Sequence, residues 1–225
     1  MSKRFITILL ASFLLTGAGC APVMQDSTEA GIENGEQMHN EVVFENGAYL
    51  LNSEASSIGW EASKRVGPTH TGTIHAQEGA LLIQEGTVVG GSLVVDMQSI
   101  VDIDLTDAAL NDMLVTHLKS DDFFAVESNP TSTFALTDMV PVEGLEGFTH
   151  RMDGTLTIKG IEQEISFPVS VTADASMIHV VGTLILDRSK WNVRYGSGTF
   201  FDDLGDNLIE DEFTLMIDVV FAQGE

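Results

Sequence analysis

From about Glu45 onward, apolar and polar residues alternate with a period of two. Leu93, Val95 and Met97 alternate with Val94, Asp96 and Gln98, and Phe134 and Leu136 alternate with Thr133 and Thr137. Met152, Gly154, Leu156 and Ile158 share a face opposite Asp153, Thr155, Thr157 and Lys159. Ile165, Phe167, Val169 and Val171 stand opposite Ser166, Ser170 and Thr172, and Phe213, Leu215, Ile217, Val219 and Phe221 close the series. Successive side chains of a strand point to opposite faces, so each run predicts a half-buried β-strand. Further strands are predicted near 47–51, 57–64, 70–76, 79–84 and 177–187. Eight or more short antiparallel strands, each with one apolar face, make an all-β sandwich or a closed barrel. Period alone leaves both open. Glycines inside strands, such as Gly72, Gly91, Gly154 and Gly182, suggest the bends that a closing sheet needs.

One segment departs from the period of two. Thr106 to Lys119 predicts an α-helix, with Leu110, Leu114 and Leu118 on one face. Thr106 is placed to cap it, Asp107 sits in the positive first turn, and Lys119 lies in the last turn. Asn129-Pro130 then reads as the entry to the next strand.

The N-terminus predicts a targeting segment over residues 1–20. Lys3 and Arg4 give a positive start, and Phe5 to Leu15 form an apolar run too short to span a bilayer. Gly17, Ala18 and Gly19 lead to Cys20, the single cysteine of the chain. This resembles a bacterial lipoprotein signal, which implies that Cys20 is lipidated and becomes the mature N-terminus. The other reading is an ordinary signal peptide cut nearby. Residues 21–44 are polar and acidic with little periodicity, and they read as a disordered tether. The globular domain is expected over 45–225.

Charge narrows the function classes. The 225 residues carry a formal net charge of −24, and removing the leader takes Lys3 and Arg4 but no acid. Such a surface repels phosphate backbones and excludes nucleic acid as a partner. It also repels anionic headgroups, so attachment to a membrane needs an anchor, which Cys20 supplies. Hydrophobic residues make up 44% of the chain, enough for a core that needs no disulfide or metal.

Four segments carry a family resemblance. They are His117-Leu118-Lys119-Ser120-Asp121-Asp122-Phe123-Phe124 with Asn129-Pro130-Thr131 and Phe134; Gly90 through Ile100; Gly154-Thr155-Leu156-Thr157-Ile158-Lys159-Gly160-Ile161; and Arg188-Ser189-Lys190-Trp191-Asn192-Val193-Arg194-Tyr195-Gly196. In order and spacing these resemble the YceI-like family of bacterial envelope proteins, over about Tyr49 to Phe221. The resemblance implies an extended, lipocalin-like antiparallel barrel holding a polyisoprenoid or similar amphiphile, in a protein of the cell envelope. An eight-stranded barrel is just wide enough to be filled by side chains or to hold one small ligand. The residues expected to line it are Ile58, Trp60, Leu93, Val95, Phe134, Leu156, Ile158, Phe167, Val169, Leu184, Phe213, Leu215 and Ile217. His117, Arg188, Trp191, Arg194 and Tyr195 are candidates for a polar rim that holds a headgroup. A structural reading stands beside this one: His117 at a helix end, and a loop in which arginine pairs with local acids and Trp191 plugs the barrel.

Other chemistry finds less support. The six histidines show no HExxH or His–Cys ligand spacing, and His70 and His75 fall on opposite faces of a strand, so no metal site is expected. Asp202, Asp203, Asp206, Glu210, Asp211 and Glu212 do not follow a calcium-loop spacing and read as a solvated loop. Neither a GxSxG elbow nor a cysteine in the mature domain is there to serve as a nucleophile. A non-enzymatic lipid carrier is the leading expectation. The alternative is an envelope stress or interaction protein with a packed barrel that acts through its outer surface.

Overall fold

A computed structural model describes residues 42–174 and 176–224; the leader, Cys20 and nearly all of the tether lie outside the described residues. The strands are β1 (Gly47–Leu51), β2 (Ser57–Lys64), β3 (Thr69–Gln84), β4 (Thr87–Asp102), β5 (Thr131–Pro141), β6 (His150–Ile158), β7 (Ile161–Ala173), β8 (Met177–Asp187) and β9 (Ile209–Gln223). One α-helix, α1 (Ala108–Lys119), lies between β4 and β5. Neighbouring strands are antiparallel, in the order β1-β3-β2-β9-β8-β7-β6-β5-β4, and pairing of β3 with β4 closes the sheet. The result is an eight-stranded barrel. Between β3 and β9 the place of one strand is filled by two. β2 pairs with the first half of β3, and β1 pairs with its second half and with the end of β9.

Residues 70–76 and 79–84 belong to one continuous strand, not two. The alternation slips at Glu78 and Gly79 because register shifts between Ala76 and Glu78 insert extra residues into the β3–β4 ladder. Two hairpins turn on two residues each. Glu85-Gly86 and Lys159-Gly160 all have positive φ, the conformation that a type I′ turn needs. The helix starts two residues later than predicted. Asp107, not Thr106, is the cap, and its carboxylate accepts from the backbone N–H groups of Ala109 and Leu110. Asp at this position also meets the positive end of the helix dipole.

The barrel has two unlike ends. At one, β3–β4 and β7–β8 are joined by short turns and β5–β6 by the loop 142–149. Tyr49, Ile83, Val169, Val171, Ile178 and Val180 are almost fully buried there and belong to one large core cluster. At the other end lie α1, the segment 120–130 and the long β8–β9 connection, residues 188–208. No residue of α1 is buried.

Candidate functional site

A cavity of about 160 Å³ occupies the barrel on the helix side. It runs from Ile58 and Phe167 in the middle of the barrel to Leu118, Phe123, Ile209 and Glu210 at the helix end. Of the residues expected to line it, Ile58, Trp60, Leu93, Val95, Phe134, Leu156, Ile158, Phe167, Leu184, Phe213, Leu215 and Ile217 do so. Val169 does not. It points inward, as its alternation requires, but it lies one step further along β7 than Phe167 and is fully buried in the packed half. Ala62, Ile74, Met97, Ile100, Leu118, Phe123, Phe124, Ile165 and Ile209 complete the apolar wall.

Two glycines make room for the wall's largest rings. A Cβ at Gly72 would collide with the Trp60 ring and the Val101 carbonyl. One at Gly154 would meet the Phe134 ring and the Ala135 carbonyl. Glycine lets the neighbouring strand pass close beneath each aromatic. The polar atoms of the wall are few. The Ser132 hydroxyl is turned to Met97 Sδ at 3.0 Å. The buried Trp60 indole N–H has no hydrogen-bond partner among the described residues.

Arg188 lies in the cavity wall, with four of its five N–H groups hydrogen-bonded within the protein. It is only 5% exposed. Its Nε donates to the Glu210 carbonyl, its Nη1 to the carbonyls of Val193 and Tyr195, and its Nη2 to that of Ile209, at 2.9–3.1 Å. Nη2 also lies 3.3 Å from Asp211 Oδ1, as an ion pair without hydrogen-bond geometry. Burial opposes the charge on Arg188, and Asp211 supports it. Burial likewise works against the Asp211 carboxylate, but hydrogen bonds from Ser197 and Thr199 and the Arg188 charge outweigh it and hold the group below its ordinary value. Arg188 therefore ties the β8–β9 connection to the start of β9.

The other rim candidates are placed apart from the cavity. Trp191 is 1% exposed, and its indole donates to the Leu156 carbonyl at 3.1 Å, so it is a core residue and not a rim residue. Arg194 is exposed and stacks over the rings of Phe200 and Phe201. His117 and Tyr195 meet edge to face, with ring centroids 4.5 Å apart, on Phe123. His117 Nε2 is 3.3 Å from Asp122 Oδ2, where a helix-end bond to carbonyls was the structural expectation. The structure thus builds a layered closure at the helix end. Arg188 lies under the Phe123 ring at 5.9 Å, and His117 and Tyr195 lie against Phe123. The acidic loop is split. Asp202, Asp203, Asp206 and Glu212 are exposed, Glu210 pairs with the exposed Arg65 at the surface, and Asp211 turns in toward Arg188.

The YceI-like domain family matches residues 49–221. The chain belongs to the YceI-like family. Solved structures share the fold. BcnA of Burkholderia cenocepacia superposes with a TM-score of 0.58 at 22% identity, covering 76% of this chain and 98% of BcnA. A polyisoprenoid binding domain from Saccharophagus degradans, implicated in plant cell wall breakdown, gives 0.55 at 18% identity, covering 78% of this chain and 98% of that one. At such identities the likeness speaks to the fold alone. No match was found among curated protein sequences. All four segments of the YceI-like resemblance meet at the cavity: Leu118, Phe123 and Phe124 from the first, Leu93 and Val95 from the second, Leu156 and Ile158 from the third, Arg188 from the fourth.

Proposed function

We propose that this protein binds a long-chain isoprenoid-like or related amphiphilic lipid in the barrel cavity and carries or stores it in the bacterial cell envelope. The observation that carries the reading is the wall, which is apolar from mid-barrel to the helix end. An apolar cavity of about 150 Å³ stays dry and accepts an apolar guest. Each methylene moved from water into such a wall contributes ~0.8 kcal/mol. The polyisoprenoid binding domain among the structural neighbours supports the choice of an isoprenoid-like chain. With four of the five Arg188 donors bonded inside the protein and its charge paired with Asp211, chain burial and not headgroup charge supplies the affinity. The chain acts as a carrier and not as an enzyme, and lipidated Cys20 holds it at the membrane through the tether.

The test is solvent extraction of protein purified from membranes, with mass spectrometry of the extract. A long-chain amphiphile at near one per chain is expected. Protein free of lipid from several membrane sources would favour the alternative, a barrel that acts through its outer surface. For the anchor, Cys20→Ser is expected to move the protein from the membrane to the soluble fraction. A wild type that is already soluble would end that part of the proposal.

A further inference from the structure

The barrel mouth carries a second group of side chains that the lipid reading does not use. His70 stands at the start of β3, Asp102 ends β4, and Asp104 follows two residues later. Strand pairing brings them together: β3 and β4 meet here, with Gly72 opposite Asp102. One ligand-type atom from each side chain lies within 4.8 Å of the others. His70 Nδ1 is 3.1 Å from Asp104 Oδ2 and 3.9 Å from Asp102 Oδ2.

Each carboxylate is held by one oxygen and presents the other. Asp102 Oδ1 accepts from the Leu105 backbone N–H at 2.9 Å and from Asn111 Nδ2 at 3.0 Å. Asp104 Oδ1 accepts from the Thr71 backbone N–H at 2.7 Å. Asp102 Oδ2 is a different matter. Its side chain is fully buried, and this oxygen has no hydrogen-bond partner, yet it faces His70 and Asp104. A buried carboxylate oxygen without a donor is costly unless a cation or a proton meets it. A cation coordinated by all three groups would satisfy it and both neighbours at once.

We propose that His70 Nδ1, Asp102 Oδ2 and Asp104 Oδ2 form a binding site for a divalent transition-metal cation of the zinc type, with water in the fourth position. Zinc takes imidazole nitrogen and carboxylate oxygen at about 2.0–2.2 Å, and a tetrahedron with such bonds has edges of roughly 3.4 Å. The two His70 separations, 3.1 and 3.9 Å, bracket that edge, and all three atoms lie within 4.8 Å of one another. Hydrogen bonds from Leu105, Asn111 and Thr71 hold the carboxylates in the manner of the outer shell of a metal centre. Sequence spacing gave no hint of the site, because its ligands come from two strands and the segment that leads into α1. Bound metal would pin the β3 start, the β4 end and that segment together, directly behind Gly72 and Trp60 of the cavity wall.

The test uses the full chain without an affinity tag, stripped with a chelator and titrated with zinc chloride at pH 7 by calorimetry. One zinc per chain is expected. Asp104→Asn and His70→Gln, both partly exposed and so tolerant of change, are each expected to weaken binding at least tenfold. His179→Gln is expected to leave it unchanged, which separates this site from the exposed His179–Asp218 pair. Circular dichroism checks that each variant folds, and Asp102→Asn is informative only if it does. Absence of zinc binding to the wild type, or binding unaltered by both Asp104→Asn and His70→Gln, overturns the proposal.

Discussion

The two ends of this barrel are made from the same strands and differ in what fills them. On β7, Phe167 faces a cavity, and Val169, two residues on and on the same face, is packed solid. On β8, Leu184 borders the cavity, whereas Val180 and Ile178 are buried in the packed end. Stability and binding therefore divide along the barrel axis. The packed end, closed by short connections and by Phe44 and Tyr49, buries complementary side chains. The helix end is closed by an added layer, α1 with the segment 120–130 and the Arg188 loop, which leaves space beneath it. In a packed interior every methylene has partners on all sides, while a cavity wall lacks them on one.

The contrast predicts its largest effect for truncations on the two ends. Ile178→Ala removes a side chain enclosed by the packed end and leaves a new void, at an expected cost of about 4 kcal/mol. Ile217→Ala removes one that already borders open space, so the expected cost is about 1–2 kcal/mol, the transfer part alone. Urea unfolding of both variants measures the difference, and equal costs would mean that the cavity side is packed in solution. Arg188→Met comes next. It leaves four carbonyls without their donor and Asp211 without its ion-pair partner, and a loss of about 3 kcal/mol is expected in the same assay. The figure is at the low end for a buried pair because Asp211 keeps some contact with water.

A smaller effect separates the faces of one strand. Leu156 borders the cavity, and Thr157 belongs to the opposite face of β6. Leu156→Gln would set an unpaired amide against a hydrocarbon chain, at ~1–3 kcal/mol, or about a ten- to hundredfold loss of lipid affinity. Thr157→Gln should leave lipid content nearly unchanged. Lipid per protein after identical purification is the readout. Equal content in both variants and the wild type would remove the cavity from the argument.

These contrasts also mark what the sequence makes legible. Alternation told which side of each strand faces inward, and for that purpose Phe167 and Val169 are equivalent. Their different fates depend on height along the barrel, which periodicity does not encode. Phe123 and Phe124 lie in the turns after α1, where no period applies, and although they belong to a segment that carries the family resemblance they were not among the residues expected to line the cavity. Closure into a barrel came from the resemblance, since a sandwich has the same alternation. Arg188 was visible as a scarce cation in an acidic chain, but its carbonyl partners come from loop geometry. His70, Asp102 and Asp104 were invisible as a group because the β3–β4 register, with its bulges, is what joins them.

The smallest effect is one of pH, and it again sets one end against the other. His150 is buried at the packed end, its ring 5.8 Å from that of Phe44 and its Nδ1 2.9 Å from Thr149 Oγ1. Burial disfavours the imidazolium and holds the folded value below the ordinary 6.5. The unfolded chain then takes up a proton before the folded chain does. Stability is full above about pH 6.5 and falls as pH drops from there toward the lowered folded value. At the helix end the sign of the shift is the same but the group is an acid. Asp211 is held below the ordinary 3.8, so its contribution is present above that value and is lost only as pH falls through the still lower folded one. Between pH 6.5 and 5, acid should therefore act on the packed end through His150 while the Arg188–Asp211 tie stays intact. Urea midpoints at pH 7.5, 6 and 5 are expected to decline less in His150→Gln than in the wild type. Asp211→Asn should lower all three midpoints by a similar amount and leave the decline as steep as in the wild type. An undiminished decline in His150→Gln would show that His150 is not the group through which acid reaches the packed end.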